Sequence, residues 1–279
     1  MNKKKIVIFS DLHYSPELPT NHGARIGRKL IQYSLPVLEE IINEINYVIK
    51  PDIVLNLGDL IEDCNNHDKD IENLNYIWSK LKRINAPFYS AIGNHDLRSM
   101  SSRREVEGIM GYDHSTYSID ICGIHLVFLG TYVNHQIGNG AGGILKTQFI
   151  SIEDMKWLEN DLKRNKFPVL VCVHFGIAED NMKGNWWFEN CPERALLSNR
   201  KEVKEILKKD KNVIGVFSGH QHWTKKVVED DIPYYVVGSL IENIKDDGVP
   251  DGVYFIIEFD GENLEVIEKH IKEDESNIL

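Results

Sequence analysis

The run Lys5-Ile6-Val7-Ile8-Phe9-Ser10-Asp11-Leu12-His13 decides how the chain is read. A short apolar run of this type forms a buried strand, and here it stops on an aspartate and a histidine two positions apart. The pattern recurs. The apolar run 52–57 is followed by Gly58-Asp59, and 87–92 by Gly93-Asn94-His95-Asp96. The run 168–173 passes directly into His174, and 213–218 into Gly219-His220-Gln221-His222. Five strand exits therefore present Asp, Asn or His.

Outward from these exits, further strands are predicted at 124–129, 233–237, 253–259 and 264–271. Helical spacing covers 30–49, with Pro36 near its start or at a kink, and 71–84. It also covers 151–164, where Ser151 and Asp154 form a capping-box pattern, and 199–208, where Asn199 and Glu202 do the same. Strand–helix alternation in the first half predicts βαβ units, and the strand-rich C-terminal third predicts antiparallel additions. The fold expected is α/β: one domain over 1–271, a four-layer α/β/β/α sandwich of two mixed sheets flanked by helices, with a polar tail at 272–279. Residues 134–147, carrying Gly138, Gly140, Gly142 and Gly143, read as a flexible loop. Residues 176–199 read as a long irregular segment around Trp186, Trp187 and Phe188, of a kind that is often functional.

Composition narrows the function. At 279 residues with 42% apolar content the chain can bury a sizeable core. A net charge of -11 disfavours non-specific binding to nucleic acid, although bound cations can reverse the sign of one pocket. No apolar run approaches the ~18 residues of a membrane span. The apolar stretch behind the basic start is too short for a signal peptide, so cytoplasmic residence is expected. Cys64, Cys122, Cys172 and Cys191 form no Cys-x-x-Cys pair, which argues against zinc-finger and thioredoxin chemistry.

Strand exits from parallel neighbours point to one sheet edge, where ligands of α/β proteins bind. Imidazole and carboxylate groups suit divalent first-row metals. Asp11, His13, Asp59, Asn94, His174, His220 and His222 supply enough ligands for two ions if one carboxylate bridges. Gly58, Gly93 and Gly219 each precede a ligand, where a strand must turn sharply.

With these motifs in place the chain resembles the calcineurin-like metallophosphoesterase superfamily over roughly residues 5–240. The resemblance rests on Asp11-Leu12-His13, Gly58-Asp59, Gly93-Asn94-His95-Asp96, His174 and Gly219-His220-Gln221-His222. It implies a helix-flanked β-sandwich with a dinuclear centre. One metal would be held by Asp11, His13, Asp59 and His222, the other by Asp59, Asn94, His174 and His220, with Asp59 bridging. Mn or Fe is the implied metal, and the donor set also admits Zn or Co. Two such ions lower the pKa of a shared water and offset phosphoryl charge, so the expected reaction is attack of a metal-bound hydroxide on phosphorus. His95, free of the metals, would protonate the leaving oxygen or stabilise the transition state. Asp96 would orient His95 or cap its loop.

Within the superfamily, the segment 196–243 is similar to the manganese-dependent ADP-ribose/CDP-alcohol diphosphatase-like group. His13 departs from that group's pattern and resembles the cyclic-nucleotide phosphodiesterases instead. The substrate implied is a small, nucleotide-like diester or diphosphate. A phosphomonoesterase with the same centre and a non-catalytic scaffold are the alternatives. Trp186, Trp187 or Phe188 would stack on a base or anchor their loop. Arg98, Arg103 and Arg104 would meet a distal phosphate or stay solvated, and Trp223 would pack under the metal loop.

Overall fold

Alternation along the first strand accounts for most of the architecture. Ile6 and Ile8 pack into one apolar cluster, and Val7 and Phe9 into another. A strand buried on both faces lies between two layers. The computed structural model describes residues 3–17, 25–137, 144–261 and 263–271; the predicted tail and the glycines at 138, 140, 142 and 143 fall outside them.

In chain order the elements are β1 (Lys4–Phe9), α1 (Arg25–Arg28), α2 (Ser34–Asn43), β2 (Ile53–Asn56), α3 (His67–Leu81), β3 (Phe88–Ser90), α4 (Asn94–Leu97) and α5 (Arg103–Met110). Then follow β4 (Tyr117–Ile121), β5 (Ile124–Leu129), β6 (Tyr132–Ile137), β7 (Ile144–Phe149), α6 (Ile152–Arg164), β8 (Val169–Val173) and α7 (Arg200–Leu207). The chain closes with β9 (Val213–Ser218), β10 (Lys225–Glu229), β11 (Ile232–Val236), β12 (Val253–Phe259) and β13 (Leu264–His270).

One sheet has the order β13-β12-β1-β2-β3, and a second has β10-β11-β9-β8-β5-β4. In the first, β1, β2 and β3 are parallel while β12 and β13 run antiparallel. In the second, β5, β8, β9 and β11 are parallel and the edges β4 and β10 antiparallel. Both sheets are mixed, as expected. Between them lies a core of Ile6, Ile8, Leu55, Leu126, Phe128, Leu170, Cys172 and Phe217. Val7 and Phe9 face α2 and α3 through Leu38, Ile41 and Leu74, while Val127 and Val171 face α6 and α7 through Leu158 and Val203. Three apolar seams separate four layers, which is the α/β/β/α order.

The differences from expectation have local causes. The edge strand β4 has Ser118 and Asp120 on one face, β10 mixes charged residues with Val on both, and neither has a continuous apolar run. Within the predicted loop 134–147, the described residues 134–137 and 144–147 are strand, with β6 pairing β7 antiparallel from Tyr132↔Phe149 to Ile137↔Ile144. Ser151 does cap α6, accepting from Asp154 N at 3.0 Å. Asn199 makes no such cap on α7. Its amide instead brackets Ile150, accepting from the backbone N at 3.1 Å and donating to the O at 2.8 Å.

Because Ile8 is fully buried in the seam between the sheets, Ile8→Ala should lower unfolding free energy by about 2–5 kcal/mol. Val228→Ala on the exposed edge should stay within about 0.5 kcal/mol. Urea unfolding of the two variants checks this, and equal losses would contradict the layer assignment.

Candidate metal centre

The strand exits are stitched to one another before any side chain is considered. Asp11 N donates to Gly58 O at 3.1 Å, His13 N to Asp59 O at 3.0 Å, and Gly219 N to His174 O at 3.0 Å. Leu240 N donates to Ser10 O at 3.2 Å, which ties the end of β1 to the stretch after β11 in the other sheet. These bonds force the chain into sharp turns. Asp11, His13, Asp59, His220 and His222 have φ of 55°, 48°, 53°, 65° and 54°. Each left-handed residue with a side chain costs about 1–2 kcal/mol. Clustered strain of this kind marks positions where geometry is held for function.

The glycines play a different part from the one expected. Only Gly58 has positive φ among the three. A Cβ on Gly93 would lie 2.1 Å from Asp59 Oδ1, and one on Gly219 would lie 2.0 Å from Ser10 Oγ. Close approach of neighbouring loops requires them, and the left-handed turns fall on the polar residues themselves.

All seven predicted ligands meet at this edge. Asp11, His13 and His222 form one group with ligand atoms within 4.8 Å of one another, and Asp59, His174 and His220 form another. Each carboxylate has one oxygen occupied and one facing inward. Asp11 Oδ2 accepts from His220 N at 2.9 Å, and Asp59 Oδ1 accepts from His95 N at 2.7 Å. Asp59 Oδ2 lies 3.2 Å from His174 Nε2 and 3.7 Å from His13 Nε2, between the two groups.

The histidines are held by their outer nitrogens, which points the other nitrogen of each ring into the site. Nδ1 of His174 lies 2.8 Å from Leu57 O, and Nε2 of His220 lies 3.0 Å from Arg194 O. Nδ1 of His13 lies 2.8 Å from Glu62 Oε2, and Nδ1 of His222 lies 2.7 Å from Glu242 Oε2. The sequence reading did not identify Glu62 or Glu242. Glu62 sits three residues beyond Asp59 and Glu242 at the end of Ser239-Leu240-Ile241-Glu242, but neither position says that a carboxylate there meets a ring nitrogen.

The donor set fits a cation. Asp11 Oδ1 is buried without a hydrogen-bond partner. Its neighbours are His222 Nε2 at 3.5 Å and His13 Nε2 at 3.7 Å, and those two nitrogens are 2.9 Å apart. Asn94 Oδ1 lies 3.1 Å from His174 Nε2 and 2.9 Å from His220 Nδ1. Turned round, that amide would donate to both rings; as placed, its oxygen and the two inner ring nitrogens converge on one point, as the atoms of a metal ligand set do once His174 gives up its proton. A further group, Glu62, Asp63 and His95, already has Lys29 and Arg98 as counterions, at 2.8 Å from Glu62 and 2.8 Å from Asp63.

His95 sits beside the ligands, its ring edge-on to His13 at 4.8 Å between centroids. Its Nδ1 lies 2.6 Å from Asp63 Oδ1, and Arg98 reaches both that oxygen and His95 Nε2, at 2.8 and 3.3 Å. Arg98 is therefore next to His95. Asp63 rather than Asp96 lies against the His95 ring, and Asp96 caps the loop by accepting from Gly93 N, the second of its two expected roles. Asp96 is fully buried and accepts from Asp59 N, Leu60 N, Ile61 N and Gly93 N at 2.8–3.2 Å. It locks two ligand loops together. Arg103 and Arg104 do not reach the site: Arg103 bonds Ser115 and Thr131 O and stacks on Tyr132, and Arg104 bonds Asp113 O.

The aromatic segment lies over the histidines. Trp187 Nε1 donates to Glu242 Oε1 at 3.0 Å, and its ring is 5.4 Å from that of His222. Phe188 is 4.9 Å from His220, and Trp186, half exposed, packs edge-on against Trp187. Buried Asn185 pins the segment to the metal loop, donating to Gln221 O at 2.8 Å. Trp223 packs with Phe188, Met182 and Leu196 beneath that loop and donates to Gln221 Oε1.

The electrostatics follow from burial opposed by partners. Burial raises the Asp11 carboxyl, but His13 and His222 outweigh it and hold it well below the usual range. Asp59 is likewise lowered, with His174 as the chief opponent of burial. Burial pushes Asp96 up to about 6, and the charge of Asp59 adds to the shift. Burial alone would lower His174 and His222, yet Asp59 lifts the first to about 9, and Asp11 with Glu242 lifts the second to about 9. Below that pH both rings keep a proton that a cation must displace. Mn²⁺ binding near neutral pH is predicted to release about two protons, with affinity rising up to a pH of about 9. Calorimetry in buffers of different ionisation enthalpy measures the release; none would contradict these assignments.

Known proteins place the centre in context. Solved structures with the same fold include a dimetal phosphatase from Danio rerio, 14% identical, TM-score 0.68, with 96% of this chain and 99% of that one covered. The protein TT1561 of Thermus thermophilus is 14% identical with a TM-score of 0.58 over 96% and 99% of the two chains. The phosphopantetheinyl hydrolase of Mycobacterium tuberculosis is 14% identical with a TM-score of 0.53 over 85% and 90%. At such identities the likeness is one of fold. No curated protein matches the sequence. The family profile of calcineurin-like phosphoesterases matches residues 4–224, a span that includes every strand exit described above, and the chain belongs to that family.

Proposed function

We propose that the chain is a dinuclear metal-dependent phosphohydrolase acting on phosphodiester or diphosphate bonds of small, nucleotide-like molecules. The observation that carries this reading is Asp59 Oδ2, the one inward oxygen between two sets of converging lone pairs. Asp11, His13 and His222 would hold one ion on its side, and Asn94, His174 and His220 the other. Mn or Fe suits this oxygen–nitrogen set, which contains no thiolate. Two bound ions supply charge neutralisation for a phosphoryl group and an activated water.

The protein's own groups then divide the remaining work. His95 lies at the rim with Asp63 on one nitrogen and the Arg98 guanidinium near the other. Burial depresses its pKa to about 4, against the opposing charge of Glu62. An arriving phosphoryl group brings negative charge that draws a proton back to the ring. His95 then delivers that proton to the leaving oxygen. Arg98, partly exposed beside it, meets a phosphoryl oxygen through its second nitrogen. Trp186 covers the leaving group from the opposite loop, while Trp187, tied to Glu242, anchors that loop. The acidic chain favours small substrates over nucleic acid, and a cytoplasmic location agrees with its unpaired cysteines.

Turnover of bis-p-nitrophenyl phosphate, p-nitrophenyl phosphate, ADP-ribose and cyclic AMP with added Mn²⁺ tests the bond preference. Diester or diphosphate cleavage should be fastest, and a preference for the monoester would overturn it. For the division of labour, His95→Ala should cut kcat by about 10²–10⁴-fold while metal content by plasma emission stays at the wild-type level. Asp59→Asn should lose metal and activity together. Loss of metal from His95→Ala would contradict its assigned role.

A further inference from the structure

The first sheet ends in β3 on one side and β13 on the other. An edge strand presents the N–H and C=O of every second residue to whatever lies beyond it. At β3 the chain covers these groups itself: Ser90 N donates to Tyr112 Oη at 2.9 Å, and Tyr117 Oη donates to Ser90 O at 3.2 Å. At β13 it does not. Among the described residues, β13 pairs with β12 alone.

Which groups of β13 face outward follows from the ladder. Ile271 N donates to Gly252 O at 2.9 Å, one step beyond the pair His270↔Val253. Hydrogen-bonded and non-bonded pairs alternate in an antiparallel ladder. Glu265, Ile267 and Lys269 therefore turn their backbone groups toward β12. Leu264, Val266, Glu268 and His270 turn theirs outward, where no backbone partner meets them among the described residues.

A second copy of β13 complements this edge in one register. Set antiparallel about Ile267, the outward groups of Val266 meet those of the partner's Glu268, and Leu264 meets the partner's His270. Between these pairs Ile267 faces the partner's Ile267, and Glu265 faces the partner's Lys269. Other registers that keep the outward groups paired are worse. Centring on Val266 sets Glu265 against Ile267, and centring on Glu265 or Glu268 sets a glutamate against its own copy, which is unfavourable.

Charges on an edge strand ordinarily discourage pairing, but here their order is self-complementary. Lys269 is exposed and has no ion pair among the described residues. Glu265 is exposed and only shares Lys3 with Glu258. The edge strand β10 of the second sheet differs, because its charges are already spent within the chain: Lys225 pairs with Asp180, and Glu229 with Lys204.

We propose that β13 is a self-recognition edge: two copies of the chain pair antiparallel through β13 about a twofold axis at Ile267, forming one continuous sheet closed by Glu265–Lys269 pairs. β12 is antiparallel both to β1 and to β13, so β1 and β13 run the same way. The twofold axis then opens the strand exits of the two copies at opposite ends of the joined sheet. Association leaves both centres accessible.

Sedimentation velocity of the full chain over the micromolar range tests the pairing, and should show a concentration-dependent dimer. Lys269→Glu sets two acids in register on each side of the axis, and should raise the dimer dissociation constant by about tenfold or more. Combining it with Glu265→Lys exchanges the charges and should restore association. Cross-linking tests the register. Facing residues bring their Cβ atoms within about 4.5–5.5 Å, so Ile267→Cys should form a disulfide-linked dimer on mild oxidation. Lys269→Cys alone should form no more of it than wild type. A chain that stays monomeric throughout would overturn the proposal. So would a dimer that Lys269→Glu leaves unchanged, a double variant no better than the single one, or cross-linking as ready at 269 as at 267.

Discussion

Buried acceptors facing one another are the constraint on which the rest depends. Asp11 Oδ1, Asp59 Oδ2, the Asn94 oxygen and the inner nitrogens of four histidines converge at one sheet edge. Protons on His174 and His222 relieve part of this crowding, but Asp11 Oδ1 keeps no hydrogen-bond partner, and a buried acceptor without a donor costs about 1–3 kcal/mol. A fold tolerates this only where something positive is to be bound. The left-handed turns at five of the seven ligands add to the cost. The two sheets and their apolar seams offset it from outside, holding the exits of β1, β2, β8 and β9 where relaxation would break the sandwich.

Rigidity at the site comes from backbone hydrogen bonds more than from side-chain packing. Asp96 gathers four N–H groups from two loops. Gly93 and Gly219 let the loops approach closely enough for Asp59 and Asp11 to receive N–H bonds on their outer oxygens. Each inner oxygen is thereby aimed before a ligand arrives. Pre-aimed charge of this kind needs no reorganisation during reaction, which is where electrostatic catalysis draws its advantage.

The sandwich was legible because its central strands are buried on both faces and read as unbroken apolar runs. The candidate ligands could be picked out because each stands within a few residues of the end of such a run. What escaped were features with no period or position of their own. The edge strands β4 and β10 are short and mix polar with apolar residues, so neither gives a continuous apolar signal. The β6–β7 pairing was hidden because the glycines at 138, 140, 142 and 143 make the sequence between them read as a loop. Glu62 and Glu242 matter only through a contact made in three dimensions. Asp96 illustrates the limit well: its place in Gly93-Asn94-His95-Asp96 marks it as functional, but only the structure shows its carboxylate turned away from His95 and toward the backbone. Arg103, next in line after a plausible phosphate contact, spends its guanidinium on Ser115, Thr131 and Tyr132.

The strand exits carry the candidate ligands and the aromatic segment lies over them, with Trp187 joining the two through Glu242 and His222. The most direct test of the central claim is anomalous diffraction from crystals equilibrated with Mn²⁺. Two peaks should flank Asp59, about 3.5–4 Å apart, one against Asp11, His13 and His222 and the other against Asn94, His174 and His220. A single peak, or ions bound away from Asp59, would contradict the account.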